Sequence, residues 1–232
     1  MNLFAVRKQL DRLLFPLVSR LAKLPIRANS WTLLGAVVGI IVGGLFLYGK
    51  WWPGLALLVC RGLIDNIDGY VARTRNQRST FGAVMDDTVD RWVLGIMYAG
   101  GCLNLAHDYP HVLIVLGLGI TGSLCNALIK LSIYAESQRD VFREEGKIGH
   151  PVDVVGVFGS AEFMIYFGTG VLFTALLHDP RPLLAGSWAV AIMSHVSLGQ
   201  RMVFAWQRYR RVDPAALVTD DEAASAEGLP TS

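Results

Sequence analysis

The chain has 232 residues, of which 53% are hydrophobic and 17% charged, with a mean hydropathy of +0.42. That balance excludes an ordinary soluble domain and fits an all-α polytopic membrane protein. The net charge of +2 carries little by itself, and no nucleic-acid partner is expected. Cys60, Cys102 and Cys125 all fall in apolar segments. They read as small core residues, and no Cys/His zinc spacing accompanies them.

Residues 3 to 24 form an amphipathic, basic segment, with Phe4, Leu10, Leu13, Leu14, Leu17 and Leu21 on one side and Arg7, Lys8, Arg12, Arg20 and Lys23 largely elsewhere. Such a helix lies in the membrane interface and favours anionic lipid. A soluble partner-binding helix is the alternative. Asp11 and the interspersed arginines interrupt any apolar stretch of the kind a signal peptide needs, and Pro16 is expected to kink the helix. Residues 1–28 are therefore read as a juxtamembrane segment, 29–211 as a six-helix transmembrane domain and 212–232 as a disordered acidic tail.

The first span, about residues 30 to 49, has Asn29 or Ser30 as its expected cap. Gly35, Gly39 and Gly43 form a stripe of small residues suited to close packing, either within the chain or at a dimer seam. Trp31, Trp51 and Trp52 read as interface anchors. The second span, about 52 to 74, and the third, about 81 to 104, differ from ordinary membrane helices because they carry acids. Asp65, Asp68, Gly69 and Ala72 share one helical face, with Arg61 beside them and Arg73 at its edge. On the third span Gly82, Asp86 and Asp90 recur every four residues and share a face, while Asp87 points away.

A carboxylate in hydrocarbon is costly, so intramembrane acids mark a functional site. Four of them repel one another unless something positive lies between, and the simplest candidate is a divalent cation with oxygen ligands, magnesium or manganese. Two such ions held by four carboxylates can clamp a diphosphate. Small residues on the same face leave room for a ligand to approach the backbone, and a guanidinium at Arg73 can hold phosphate oxygens bidentately. Acids alone would also serve an ion or proton pathway, but a pathway needs neither the small residues nor Arg73 in register.

Three further spans follow, at about 111 to 136, 152 to 177 and 183 to 206, with a polar loop, ESQRDVFREEGKIGHP, after the fourth. Asn126, Lys130 and Glu162 either line a cavity or bond between helices, and His195 reads as a packed or interfacial histidine. Basic residues crowd one set of loops: Arg73, Arg75 and Arg78; Arg139, Arg143 and Lys147; Arg208, Arg210 and Arg211; and the amphipathic segment before the first span. The opposite loops hold only Lys50 and Arg181. The positive-inside rule then puts both termini and the mouth of the acidic site in the cytoplasm, with an inner-membrane location.

The pattern Asp-x2-Asp-Gly-x2-Ala-Arg-x8-Gly-x3-Asp-x3-Asp, met at Asp65, Asp68, Gly69, Ala72, Arg73, Gly82, Asp86 and Asp90, resembles the signature of the CDP-alcohol phosphatidyltransferases. The resemblance implies a phospholipid-synthesis transferase that moves a phosphatidyl group from CDP-diacylglycerol to a polar alcohol and releases CMP. It implies Asp65, Asp68, Asp86 and Asp90 as metal ligands, Asp90 also as general base, Arg73 on the diphosphate, and room for the nucleotide at Gly69, Ala72 and Gly82. It also implies a homodimer. A CDP-choline or CDP-ethanolamine phosphotransferase acting on diacylglycerol is the alternative. Aspartate-rich prenyl transferases lack the Gly-x2-Ala-Arg continuation. Family members often carry Pro-Asn-x-x-Thr before the first span, where this chain has Ala28-Asn29-Ser30-Trp31-Thr32. Ala135, Glu136 and Ser137 are similar to a Lys-Ala-Arg-Ala-Glu-Ser region of phosphatidylinositol phosphate synthases. There Ser132 and Tyr134 replace the basic residues that help hold the acceptor phosphate, and Glu162 lacks its flanking arginines. These replacements weigh against inositol phosphate and leave glycerol phosphate, serine or another alcohol open.

Asp90→Asn is expected to abolish CMP release while Asp87→Asn leaves most of it. Equal loss from both would overturn the assignment of helix faces.

Overall fold

The computed structural model describes residues 16, 18–75, 77, 79–137, 142–144 and 147–210. The acidic tail, and the amphipathic segment before residue 16, lie outside them. Six long helices follow in order: α1 Ala28–Leu47, α2 Trp51–Thr74, α3 Thr80–Leu105, α4 Val112–Glu136, α5 Ser160–Leu177 and α6 Arg181–Tyr209. Among the described residues α1, α4, α5 and α6 are long and apolar enough to cross a membrane. The protein is an integral membrane protein on that evidence. Helices α2 and α3, of 24 and 26 residues, are equally long, but their acids and arginines lower their hydropathy.

The helix ends differ in places from the sequence expectation. Neither Asn29 nor Ser30 caps α1; the cap is Arg27, whose side chain makes no capping bond. The Ala28 N–H donates instead to Gln77 Oε1 at 3.1 Å. The turn before it is held by Arg75, which donates to Leu24 O at 2.8 Å and Ile26 O at 3.2 Å. An orphan helix N–H has to find an acceptor, and a side chain 49 residues away does what a local cap would have done. Ser79 caps α3 in the expected manner, its Oγ accepting from Gly82 N at 2.9 Å. The fifth helix starts at Ser160, later than residue 152. Pro151–Val154 form one 3-10 turn, capped reciprocally by His150 and Asp153. The polar loop after α4 contains a short antiparallel pair, β1 Phe142–Glu144 and β2 Lys147–Gly149, with Arg143 opposite Ile148.

By contacts the chain divides into two units, Met1–Leu124 with Val157–His195 and Cys125–Gly156 with Val196–Ser232. In the first, α1 packs along both α2 and α3. Its glycine stripe is used within the chain: Gly35 faces Ile64 of α2, while Gly39 and Gly43 face Val93 and Ile96 of α3. At Gly100 any side chain would run into the backbone carbonyl of Gly43, so the α1 and α3 backbones touch where both residues lack a Cβ. Phe46, Met97, Tyr98, Phe163, Phe167 and Leu183 fill the core beside this contact. The Tyr98 hydroxyl, 3.1 Å from Val115 O and 3.0 Å from Ser187 O, is satisfied inside it. Trp31 is buried against Val18, Ala22, Ile67 and Val71 and is not an interface anchor. Of the cysteines only Cys102 is buried; Cys60 and Cys125 are exposed on outward faces and are not core residues.

In the second unit Arg201 donates to Asn126 O at 3.1 Å, to the Asn126 side-chain oxygen, and through Nε to Val155 O at 3.0 Å. His150 is buried, with Nδ1 accepting from Val152 N at 3.0 Å and Nε2 facing Ser137 Oγ and Tyr209 Oη at 3.0 and 3.1 Å. The Nδ1 acceptor role places the ring proton on Nε2.

Gly100→Val is expected to destabilise the protein by about 1–3 kcal/mol, because the neighbour is backbone and cannot yield. Gly44→Ala, with open space around it, should be neutral or mildly stabilising. Thermal unfolding in detergent compares the two.

A candidate metal centre on two facing helices

Helix α2 carries Asp65 and Asp68 nearly one turn apart, and α3 brings Asp86 to the same place. One carboxylate oxygen from each lies within 4.8 Å of the others. Asp68 is 6% exposed, Asp86 half-buried and Asp65 exposed. Thr32 of α1 donates to Asp68 Oδ2 at 3.0 Å, which fixes the direction of that carboxylate. Three carboxylates this close repel one another, and a cation among them relieves the repulsion. An all-oxygen set of negative donors suits a hard divalent ion, so the residues fit the metal that the sequence implies.

Asp90, one turn beyond Asp86, is on the same face and lines the same pocket, but it is not one of the three clustered acids. Its Oδ1 is paired with Arg61 of α2, and its Oδ2 accepts from Ser160 Oγ at 3.0 Å. Asp87 lies on the exposed side, 3.3 Å from Arg91. The pocket walls between the polar groups are Gly35, Ala36, Ile64 and Val89. Toward the end of α2, Arg73 curls back over Gly69, where an added Cβ would lie 3.2 Å from Arg73 Nη1. A Cβ on Gly82 would lie 3.0 Å from Ser79 Oγ and 3.1 Å from Asn29 Oδ1. Ala72 is half-buried against the Trp31 cluster.

Helical spacing placed Asp65, Asp68 and Asp86 on the faces where their oxygens gather, but it did not find Thr32 or Ser160. Thr32 had a signal, its place one turn after Asn29 in the segment that opens α1. Ser160 had none, since its contact with Asp90 spans 70 residues. Three other polar groups in the spans have partners within the fold. His195 Nδ1 is 2.8 Å from Ala191 O on its own helix, and Asn126 is bonded to Arg201. Lys130 is paired with Asp153 at 2.5 Å. Burial works to raise the Asp153 carboxyl, but hydrogen bonds from Lys130, Tyr134 and the His150 N–H, with the Lys130 charge, outweigh it and hold the pKa below the ordinary carboxylate value.

A family model described as CDP-alcohol phosphatidyltransferase matches residues 26–193. The chain is 28% identical to a phosphatidylinositol phosphate synthase of Mycobacterium marinum, over 99% of this chain and 94% of that one. It is 30% identical to an archaetidylinositol phosphate synthase of Methanothermobacter thermautotrophicus, over 88% and 94%. Among solved structures it is similar to the phosphatidylinositol phosphate synthase of Mycobacterium tuberculosis with CDP-DAG bound, with a TM-score of 0.70, 25% identity and coverage of 87% of this chain and 98% of that one. The same enzyme in complex with manganese and citrate matches with a TM-score of 0.69 at 25% identity, covering 85% and 91%.

Thr32→Val should weaken manganese binding about tenfold, the usual effect of removing a hydrogen bond that orients a metal ligand. Titration followed by the electron paramagnetic resonance of free manganese measures it.

Proposed function

The chain belongs to the CDP-alcohol phosphatidyltransferase family, membrane enzymes that transfer a phosphatidyl group from a CDP-linked donor to an alcohol, and from that premise we propose how its own residues carry the reaction. The donor is CDP-diacylglycerol. Asp65, Asp68, Asp86 and Asp90 would hold two divalent ions, magnesium or manganese, which would neutralise charge on the diphosphate oxygens and stabilise the attacking and leaving groups. The observation that carries this reading is the gathering of three carboxylate oxygens within 4.8 Å from two helices.

Arg73, at the end of α2, steadies the donor diphosphate, and the absence of side-chain bulk at Gly69, Ala72 and Gly82 gives the nucleotide its place beside the helix backbone. The acceptor oxygen forms a bond to the phosphorus that carries the diacylglycerol. The bond from that phosphorus to the CMP oxygen breaks, and the hydroxyl proton passes to Asp90. Ala36, Ile64 and Val89 form the apolar walls of the pocket.

The acceptor is a polar alcohol. The relatives' names favour inositol phosphate. Ser132 and Tyr134, standing where those enzymes carry basic residues, and Lys130, already paired with Asp153, favour an acceptor needing less positive charge. Six spans with the charge bias of the loops support cytoplasmic termini and a cytoplasmic site mouth in the inner membrane. Family resemblance supports a homodimer, and the boundaries at residues 28 and 211 stand as the proposed limits of the catalytic domain.

Purified protein in lipid, given CDP-diacylglycerol and magnesium or manganese, should release CMP with one member of a panel of glycerol 3-phosphate, inositol, inositol 1-phosphate and serine. Chelation of the metal should stop it. Release only from CDP-choline or CDP-ethanolamine with diacylglycerol would replace the donor assignment, and no release from any pair would overturn the reading.

A further inference from the structure

Arg61 is 7% exposed and sits at the depth of the acids, one helical turn before Asp65. Its stem lies over Gly39 of α1, with Cδ 3.6 Å from where a Cβ at that position would stand. A larger residue at 39 would collide with Val93, so the groove that guides the arginine exists because α1 is bare there. The guanidinium crosses to α3 and pairs with Asp90 Oδ1. From the other side Ser160, the first residue of α5, donates to Asp90 Oδ2 at 3.0 Å. The two oxygens of one carboxylate are thus held by two different helices. A single hydrogen bond restrains one oxygen of a carboxylate, whose χ2 torsion is otherwise broad and two-fold. Two donors on opposite oxygens fix its plane.

Neither contact is needed to build the three-acid cluster, which lies one turn away. Arg61 Nε is buried without a hydrogen-bond partner, and a buried donor left unsatisfied destabilises the fold.

We propose that Arg61 and Ser160 are positioning residues that orient the Asp90 carboxylate toward the acceptor hydroxyl. The proposal rests on the reading of Asp90 as general base. A base must hold its accepting lone pair within hydrogen-bond reach of the proton it takes, and small displacements are expensive in rate. The roles divide by helix: α2 and α3 supply the metal-binding acids, while α2 and α5 together aim the base. Helix α5 is thereby made part of the reaction although it carries no motif residue.

The test combines kinetics with a stability cycle. Arg61→Gln should lower kcat about 100-fold with the KM for CDP-diacylglycerol within about twofold, and Ser160→Ala should lower kcat about tenfold, as expected for one hydrogen bond. Ser160→Thr, which keeps the hydroxyl, should restore most of the rate. Manganese should still bind to Arg61→Gln, because Asp65, Asp68 and Asp86 are untouched. Thermal unfolding of Arg61→Gln, Asp90→Asn and the double variant should give non-additive shifts, which reports the pair independently of activity. Unchanged kcat in Arg61→Gln and Ser160→Ala, beside a wild type that releases CMP, would overturn the proposal alone. So would a KM that rises in step with the loss of kcat, or a loss of manganese binding, since either places Arg61 in donor or metal binding. Absence of CMP release from the wild type would overturn the underlying reading and the proposal with it.

Discussion

Everything in this protein is arranged around the difficulty of placing carboxylates in an apolar bundle. An ionised acid loses several kcal/mol of hydration when it leaves water, and the loss is offset only by a cation or by directed hydrogen bonds. Here the acids of α2 and α3 are treated in two ways. Asp65, Asp68 and Asp86 draw their oxygens to one point, an arrangement that suits a metal ion. Asp90 is given a protein cation, Arg61. Asp87, which has no such role, points outward to Arg91.

The packing of α1 follows from that requirement. Helices α2 and α3 bring oxygens of three acids within 4.8 Å of one another, and α1 packs over both. Gly35, Gly39 and Gly43 let α1 lie against both, and Thr32 on the same helix reaches Asp68. The close approach at Gly43 and Gly100 is where hydrocarbon packing energy is gathered, since helices in a membrane associate through van der Waals contact and not by expelling water. The catalytic face and the stability of the bundle therefore share one helix interface.

Outside that interface the polar residues answer local demands. His150 closes the 3-10 turn after the hairpin, Arg201 satisfies the carbonyls of Asn126 and Val155, and Lys130 neutralises Asp153. Each is a buried or half-buried polar group meeting its hydrogen-bond or charge partner.

The chain's amino-acid order determined the membrane class, the helices and the identity of the acidic face, because hydropathy and the 3.6-residue period act over a few turns and need no partner to be read. It also carried the motif residues, since their spacing along two helices is itself the chemistry. Tertiary structure decided what those periods cannot contain. The glycine stripe of α1 proved to be an internal seam, and Trp31 a core residue, because which neighbour a face meets depends on how helices pack. Gln77 replaced a local cap for α1, and residues 150–159 remained outside α5. The division of the four acids into a cluster of three and one held by Arg61 and Ser160 arose only from the fold, because the contacts that make it join residues 29 and 70 positions apart. Contacts at that separation are set by the crossing of helices in space, and no periodicity along the chain encodes them.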